Sequence, residues 1–335
     1  MAASPENTKY TVYVVCGDTR YNITPALDNI DRVESTREIA QRVTIQLRNV
    51  KVGNAHLSSI FKPRNRIFVY ANDGTKEEEV FRGYLWKRGY KSSLNDQEIQ
   101  YTCYDNLIYF QESEDSLYFS DGKSTKDIMA SICEKWGIKL QYAYESITHS
   151  KMPLRGNLAD IFLSDILEPV RKKTGKKSVV LSDKDTMHVK KTGSNDTIYH
   201  FLSKKNVISA ASGWTMEGVI TQVVIVGKAD DDGREPVEAT VSGKTSEYGT
   251  LQKIQELDEN TSLSDAKLEA KNTIDEFGEP KWEYEITAPD IPWIRKGDKV
   301  YVSAGDIYQK YLIVTEIDRT ATIKKCEMTL TLEDV

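Results

Sequence analysis

Four histidines are the side chains in this 335-residue chain most suited to binding a metal or to acid–base catalysis. They are His56, His149, His188 and His200, and none stands four residues from another or in a His-x-His pair. Those spacings place two imidazoles on one face of a helix or strand, where they can share a metal ion. We therefore predict surface or turn histidines and no metal site.

Two charged runs resemble ion-binding loops. The aspartates at 230–232 precede Gly233, but the alternating ligands and the distal glutamate of an EF-hand are missing, so we predict a solvated loop. The run RKKTGKKS at 171–178 lacks the upstream glycine of a phosphate loop, and Lys177 occupies the place of its Ser or Thr. A helix C-terminus is the better interpretation, because cations complement the helix dipole there and Gly175 can cap it.

No pattern indicates an activated nucleophile or an acid–base pair. The chain has no Gly-x-Ser-x-Gly elbow, and the glutamates at 77–79 form a charge run of the kind found on solvated faces. Trp136, Trp214, Trp282 and Trp293 could stack on sugar rings, but aromatic side chains in strands and helices more often pack in a core. We predict no catalytic residue, no cofactor and no enzymatic activity.

Composition narrows the possible partners and compartment. The 45 basic and 51 acidic residues give a net charge of −6, which argues against specific nucleic-acid binding. No apolar run reaches the roughly 20 residues that cross a bilayer, and the N-terminal residues do not resemble a secretory signal. We expect synthesis in the cytoplasm, no membrane insertion, and reduced thiols at four scattered cysteines: Cys16, Cys103, Cys133 and Cys326.

Changes of hydrophobic period divide the chain into β, α/β and β regions. Alternation predicts N-terminal strands, with turns at 72–74 and 94–96 between some of them, at 10–15, 42–47, 67–71, 80–86 and 98–104. Ser124, with Asp127 at the third helical position, predicts the start of an amphipathic helix that ends at Gly137. A second helix is predicted from Asn157 to about residue 175, where an internal proline, Pro169, is expected to kink or shorten it.

A hairpin and a second β region complete the pattern. The hairpin strands are predicted at 178–181 and 186–190, and an apolar β-branched run predicts a buried strand at 219–226. Ser262 and Gly278 bound an inserted helix at about 262–278, and a closing meander occupies 282–332. We predict an α+β, mostly β fold in which β-barrel-like antiparallel domains at 1–110 and 206–335 flank a small α/β domain at 111–205.

The two β regions contain similar runs. RNRIFVYA from Arg64 matches KGDKVYVSA from Lys296, so that residues 67–69 fall opposite 300–302. Later in each region, residues 99–105 fall opposite 328–334. We predict that residues 64–105 and 296–334 are equivalent parts of two domains, although any two meanders share some of this alternation.

These elements together have a family resemblance that spans nearly the whole chain. The helix STKDIMASICEKWGI from Ser124, the helix from Asn157, and the ending with PWIRKGDKVYV and MTLTLED follow a β-module in this order. The order is similar to that of baseplate hub proteins of contractile-tailed phages and phage-tail-like bacteriocins. The XkdQ-like group is most similar, and the late-control-D group more remotely.

The resemblance implies a homotrimer whose two tube domains per subunit make a pseudo-sixfold ring. Such a ring joins the hexameric tail tube to the trimeric tail spike, and its other partners are baseplate proteins, including tape-measure and LysM-type proteins. The chain would be made in the bacterial cytoplasm and become part of the assembled tail particle. A cell-wall glycan-binding module or peptidoglycan hydrolase is the alternative, and a soluble metabolic enzyme is a third; alternation alone leaves the interface residues unknown.

Overall fold

The computed structural model describes residues 8–92, 97–258, 261–322 and 325–335, so the predicted turn at 94–96 lies outside the described residues. In the N-terminal region a short 3-10 helix (Thr24–Ala26) and helix α1 (Leu57–Ile60) accompany the strands. These strands are β1 (Lys9–Cys16), β2 (Thr19–Asn22), β3 (Leu27–Ser35), β4 (Arg42–Arg48), β5 (Lys51–Val52), β6 (Ala55–His56), β7 (Arg66–Asn72), β8 (Glu77–Ser92) and β9 (Gln97–Tyr104). The five predicted N-terminal strands are confirmed, β8 is longer than predicted, and β3 was missed.

The middle region combines helices with short strands. Its elements are α2 (Ile108–Gln111), β10 (Glu114–Phe119), α3 (Thr125–Lys135), β11 (Lys139–Ala143), β12 (Met152–Asn157), α4 (Leu158–Asp160), a π-helical segment (Ile161–Leu167), α5 (Glu168–Thr174), β13 (Ser178–Asp183) and β14 (Thr186–Lys191). Ser124 caps α3 by accepting a bond from the Asp127 amide at 3.2 Å, as predicted. β13 and β14 form the predicted antiparallel hairpin.

Pro169 does not shorten the second predicted helix. The helical path runs on from Leu158 to Thr174, and Pro169 stands in the first turn of α5, after the π-helical segment. A proline within a helical path removes one backbone hydrogen bond, and the wider π-helical turn before Pro169 accommodates its ring. Gly175 ends the helix at φ 67°, as predicted for a C-cap.

The C-terminal region returns to β structure. Its elements are β15 (His200–Leu202), β16 (Ser209–Thr215), β17 (Gln222–Val226), β18 (Val237–Ser242), α6 (Thr245–Tyr248), β19 (Gln252–Glu256), α7 (Leu263–Phe277), β20 (Lys281–Pro289), β21 (Lys299–Ala304), β22 (Ile307–Thr322) and β23 (Cys326–Asp334). The predicted buried strand begins at Gln222 rather than at residue 219, and α7 packs on it through Ala266, Ala270 and Ile274.

One sheet links the two ends of the chain. In the described part of the chain it has 13 strands, and its main path runs β16-β20-β23-β22-β3-β4-β9-β8-β7-β1-β2. Of the two remaining strands of this sheet, β21 pairs with β22 and β15 pairs with β21. Alternate side chains along its strands are buried on one face, as in an antiparallel sheet that covers a core on one side. The predicted mostly β class with large antiparallel pairings is confirmed.

Separate hydrophobic clusters lie under different parts of the chain. Strands β1 to β9 bury one cluster and strands β20 to β23 bury another, and Trp293 packs against both. The cluster of the middle region extends from Ile39 to Val189 and includes Phe110 and Phe162 in edge-to-face contact at 4.9 Å. The predicted domain limits at residues 110 and 205 stay a prediction.

Candidate assembly surface

The two predicted meanders have the same strand order and the same register. In each meander, the first half of a 16-residue strand pairs with the strand before it and the second half pairs with the strand after it. Tyr84 of β8 pairs on both sides, as do Leu312 and Ile313 of β22, and Tyr84 is the equivalent of Ile313. The two rows of partners are Arg66–Tyr84–Tyr104 and Lys299–Ile313–Glu333.

A β-bulge stands at the same place in both meanders. The register of β8 with β9 shifts between Leu85 and Lys87, and that of β22 with β23 shifts between Val314 and Glu316. With Tyr84 matched to Ile313, the extra residue follows two positions later in both copies. A bulge is a specific local distortion that redirects a strand, so its recurrence is stronger evidence for duplication than alternation is.

The turns that enter the meanders match atom for atom on the backbone. The Arg64 amide donates to the Leu85 carbonyl at 2.9 Å, and the Gly297 amide donates to the Val314 carbonyl at 2.7 Å. Arg64 and Gly297 are aligned by sequence and both have positive φ, at 65° and 81°. Positive φ is uncommon for a residue other than glycine, so its presence at Arg64 indicates that the turn imposes this conformation.

The duplication extends to two further strands. β3 pairs with β4 and β4 with β9, as β16 pairs with β20 and β20 with β23. The rows of directly opposed residues are Ile30–Ile45–Tyr101 and Ala210–Ile286–Leu330. The unit β3-β4-β9-β8 thus recurs as β16-β20-β23-β22. The neighbours of the unit differ, because β1 lies antiparallel to β7 whereas β15 lies parallel to β21.

The two units meet where β3 pairs antiparallel with the second half of β22. This pairing, which we call the internal joint, runs from Ser35 opposite Glu316 to Asn29 opposite Thr322. Its partners are more than 280 residues apart in sequence. The joint makes one continuous sheet from both units.

A buried ionic network holds the internal joint. Glu34 on β3 is fully buried and accepts bonds from Arg295 Nε at 2.8 and 3.0 Å and from Gln41 Nε2 at 3.0 Å. Burial alone would raise the pKa of Glu34, but the neighbouring Arg295 and Arg319 guanidiniums lower this pKa to about 2. Glu34 therefore carries its charge throughout the physiological range and ties β3 to the C-terminal unit.

Arg319 on β22 lies directly opposite Arg32 on β3, and both are almost fully buried. Arg319 Nε donates to Asp290 at 3.0 Å, while Arg32 Nη1 donates to the Tyr10 hydroxyl at 3.2 Å. Tyr10 in turn donates to Asp290. Because a buried pair of like charges is stable only when each charge has such partners, this cluster depends on both units being present.

Lys296 fixes the same region through backbone carbonyls. Its buried ammonium donates to Ser35 at 3.0 Å, to Ile39 at 3.3 Å and to Glu38. Burial lowers the pKa of Lys296 and raises the pKa of nearby Asp105. Both side chains are enclosed and bonded to the backbone, so we interpret them as structural and not as an acid–base pair acting on a substrate.

A cavity of about 680 Å³ opens beside the internal joint. Its lining includes Tyr10, Ile30, Ile208, Pro289 and Cys326. Burial raises the pKa of both Tyr10 and Cys326, which keeps these groups protonated and unreactive at neutral pH. Neither Tyr10 nor Cys326 is therefore an activated nucleophile.

The histidines do not converge in the fold. His149 is buried and bonds Thr125 Oγ1 at 2.8 Å at the start of α3, which corrects the expectation of surface or turn histidines. His56 bonds the Asn49 carbonyl at 2.9 Å, and His200 packs against the Tyr301 ring. Within the described residues, no group of three or more His, Cys, Asp or Glu side chains could hold a metal ion.

The charged runs lie where sequence placed them. The aspartates at 230–232 form an exposed turn in which Asp230 accepts bonds from the Asp232 and Arg234 amides at 3.1 and 2.8 Å. The basic run at 171–178 begins in the last turn of α5, which ends at Thr174 with Gly175 as its cap, and continues to the first residue of β13. Over the ranges that the structure covers, no helix is both long and apolar enough to cross a membrane.

Of the four tryptophans considered as a sugar-stacking platform, two pack beside cores and two lie at one exposed edge. Trp136 packs beside Phe110, and Trp293 donates to Asp73 at 2.9 Å between two cores. Trp214 on β16 and Trp282 on β20 instead lie directly opposite each other and are exposed. They mark the end of the large sheet, because β16 is its terminal strand.

Two strand edges are open, one at the β16 end of the second unit and the other at the opposite, β8 end of the first unit. Among the described residues, neither the outer edge of β16 nor that of β8 beyond its bulge, from Lys87 to Ser92, has a backbone partner. Trp214 is 64% exposed on the first edge, and Tyr90 is 49% exposed on the second. Open edges that carry aromatic side chains are typical of surfaces that another strand covers.

Solved structures of tail proteins have a similar architecture. The 43 kDa tail protein of prophage MuSo2 from Shewanella oneidensis matches with a TM-score of 0.72 and 14% identity, covering 97% of this chain and 98% of that one. A tail protein from Neisseria meningitidis MC58 matches with a TM-score of 0.70 and 14% identity over 97% and 96%. Prophage tail protein gp18 from Listeria monocytogenes EGD-e gives 0.59 and 12% over 96% and 94%.

Sequence identities this low show a similarity of fold alone. This chain shares its fold with phage tail proteins over nearly its whole length. None of the curated proteins matches the chain. A family model described as YQBQ-like matches residues 35–333, which run from the last residue of β3 to the last residue but one of β23. The chain therefore belongs to the YQBQ-like family.

Proposed function

We propose that this protein is a structural baseplate hub of a contractile tail. Three copies form a pseudo-sixfold ring that joins the hexameric tail tube to the trimeric spike. The observation that carries the proposal is the duplication of a four-strand unit with the same register and the same bulge. A chain that presents two similar units can offer six similar surfaces from three copies, which suits a junction between sixfold and threefold partners.

The two faces of the sheet fit a ring wall. One face covers the hydrophobic cores, while the other is polar along the recurring strands, with Thr44, Gln100, Asp318 and Thr329 among its side chains. In the ring this polar face lines the channel. The partners are then the tail tube and spike proteins, with other baseplate proteins, including tape-measure and LysM-type proteins, around them in the tail particle.

Each copy contributes a rigid pair of units because the internal joint is buried and ionic. Glu34, Arg319 and Arg32 are each at most 2% exposed, and they link strands from both units. Breaking one such pair leaves an uncompensated buried charge, at a cost of about 3–5 kcal/mol. The angle between the two units is thereby fixed before assembly.

We propose a structural and not an enzymatic role. The exposed Trp214 and Trp282 are the feature that a glycan-binding module would use, but they lie opposite each other at the open end of the large sheet, where Trp282 stacks on Tyr284. Purified protein incubated with bacterial cell walls should release no soluble fragments. Release that one acidic substitution abolishes would favour a hydrolase.

The mass of the assembly tests the hub proposal. Native mass spectrometry of the purified protein, alone and mixed with candidate tube and spike proteins from the same tail particle, should give three times the chain mass of 38.0 kDa or a complex containing three copies. A protein that stays monomeric at high concentration and also with both partners would refute the ring. A complex with six copies would equally refute it, because each copy would then supply only one position.

A further inference from the structure

We propose that the open edge of β16 in one copy pairs antiparallel with the second half of β8 in the next copy, with Gly213 opposite Gly89. This inference rests on the proposed ring and specifies the contact between its subunits. Its basis is the internal joint, where β3 pairs with the second half of β22. In the duplicated units β3 corresponds to β16 and β22 corresponds to β8.

The register follows from pairings within the chain. Ile313 and Tyr84 are equivalent, and the bulge that follows each keeps the later residues aligned, so Asp318 corresponds to Gly89. Val33 pairs with Arg42, and Arg42 pairs with Tyr104, the equivalent of Glu333. In the second unit the neighbouring row Ser212–Tyr284–Leu332 corresponds to Arg32–Val43–Cys103, so Gly213, the next residue after Ser212, corresponds to Val33.

Asp318 lies opposite Val33 in the internal joint. Transferring that pair to the equivalent positions puts Gly89 opposite Gly213 between copies. The same transfer puts Arg88 opposite Trp214 and Tyr90 opposite Ser212. Because the bulges and the ladders match, the free amides and carbonyls of both edges point toward the missing partner, as those of β3 and β22 point toward each other.

The chemistry of the open edges differs from that of the internal joint in the way an interface requires. At the position of buried Glu34 stands Trp214, and at the position of buried Arg319 stands Tyr90. A buried charge would have to be solvated in a free subunit, whereas an aromatic ring can be exposed before assembly and buried afterwards. Arg88 opposite Trp214 adds a cation beside an aromatic face.

Repeating this pairing closes the sheet. Each copy contributes the strands β16, β20, β23, β22, β3, β4, β9 and β8, and internal joints alternate with joints between copies. A head-to-tail contact of this kind forms a ring when its rotation closes. The ring leaves neither of the two edges exposed to a wrong partner.

Cysteine substitution tests the register. A Cβ added at Gly213 has nothing within 4 Å, and one added at Gly89 meets Gln100 at an ordinary contact distance of 3.7 Å. The double variant G89C/G213C should therefore fold like the wild type. Directly opposite residues on neighbouring strands have Cβ atoms about 4.5–5.5 Å apart, close enough for disulfide formation with a small adjustment.

Mild oxidation of G89C/G213C should convert most of the protein into linked dimers and trimers on a non-reducing gel. The single variants should remain monomeric on that gel. The matched control G89C/S212C differs by one residue, which moves the thiol to the other face of the sheet, so its linked fraction should be at least ~5-fold lower.

Two outcomes overturn the inference and distinguish it from the hub proposal. A trimeric mass without linkage in G89C/G213C would refute this pairing and leave the ring intact. Equal linkage in G89C/S212C would show that the edges meet without a fixed register. A monomer under all conditions would refute the ring itself, which the mass measurement reports separately from the gel.

Discussion

Glu34 at the internal joint gives the sharpest test of what holds the two units together. We predict that E34Q destabilises the protein near neutral pH because Arg295 and Arg319 lose their shared counter-charge. Gln41 keeps a hydrogen-bonding partner at position 34, so the change removes the charge with little change in shape. The exposed E283Q on β20 changes the net charge equally and serves as the control.

Two routes give similar magnitudes. The pKa of Glu34 falls from 4.5 to about 2 on folding, and a shift of that size corresponds to about 3 kcal/mol of stability. Removing one partner of a buried ion pair costs about 3–5 kcal/mol. E34Q should therefore lose about 3 kcal/mol of unfolding free energy at pH 7, while E283Q should change by less than about 0.5 kcal/mol.

The pH dependence has a defined sign. In the unfolded chain Glu34 takes up a proton below pH 4.5, whereas in the folded chain it does so only near pH 2. The stability that ionised Glu34 contributes is therefore present above pH 4.5 and is lost as the pH falls toward 2. Gln resembles the protonated acid. The difference in unfolding free energy between wild type and E34Q should therefore shrink steadily between pH 4.5 and 2.

Urea unfolding of both proteins at several pH values, followed by circular dichroism, measures this difference. A difference that is below about 1 kcal/mol at neutral pH would contradict the proposed role of the ion pairs. A difference that stays constant down to pH 2.5 would show that E34Q acts through packing and not through charge.

Two further substitutions test local features of the fold by thermal unfolding. G297A should lower the free energy of unfolding by about 2–4 kcal/mol, because the added Cβ would lie 2.6 Å from Val179 Cγ1 at a φ of 81°. R64G at the equivalent turn should change the free energy of unfolding by less than about 1 kcal/mol. Equal losses in the two variants would show that the turns are not equivalent. S124A should lose about 1 kcal/mol by removing the cap of α3, and a neutral result would mean that tertiary packing alone fixes that end of the helix.

Local chemistry made several elements predictable. The α3 helix combines an N-cap serine, an acidic third position and apolar residues at helical spacing, so its start at Thr125 followed from sequence. The meander strands alternate between apolar and polar residues, which revealed both their identity and their similarity. The open edges were beyond such reasoning, because alternation does not say which strand edge lacks a partner.

The strand β3 was missed because its buried face is polar. Arg32 and Glu34 occupy positions that face the core, where a sequence reading expects apolar side chains. Their burial is possible only because Arg295, Arg319 and Tyr10 supply partners from distant parts of the chain. Buried charged residues interrupt the apolar–polar alternation that predicts a strand, and partners remote in sequence give no local sign that these charges are buried.

The sequence by itself determined the mostly β class, the helical middle region and the resemblance between residues 64–105 and 296–334, because each depends on spacing within short segments. Only the tertiary structure decided that β3 joins β22, that His149 is buried, and that β16 and β8 end in open edges. Those features depend on contacts between segments far apart in sequence. Strand pairing is set by the geometry of the whole sheet. The edges of the sheet that lack a partner can therefore be identified only when the pairing of all its other strands is known.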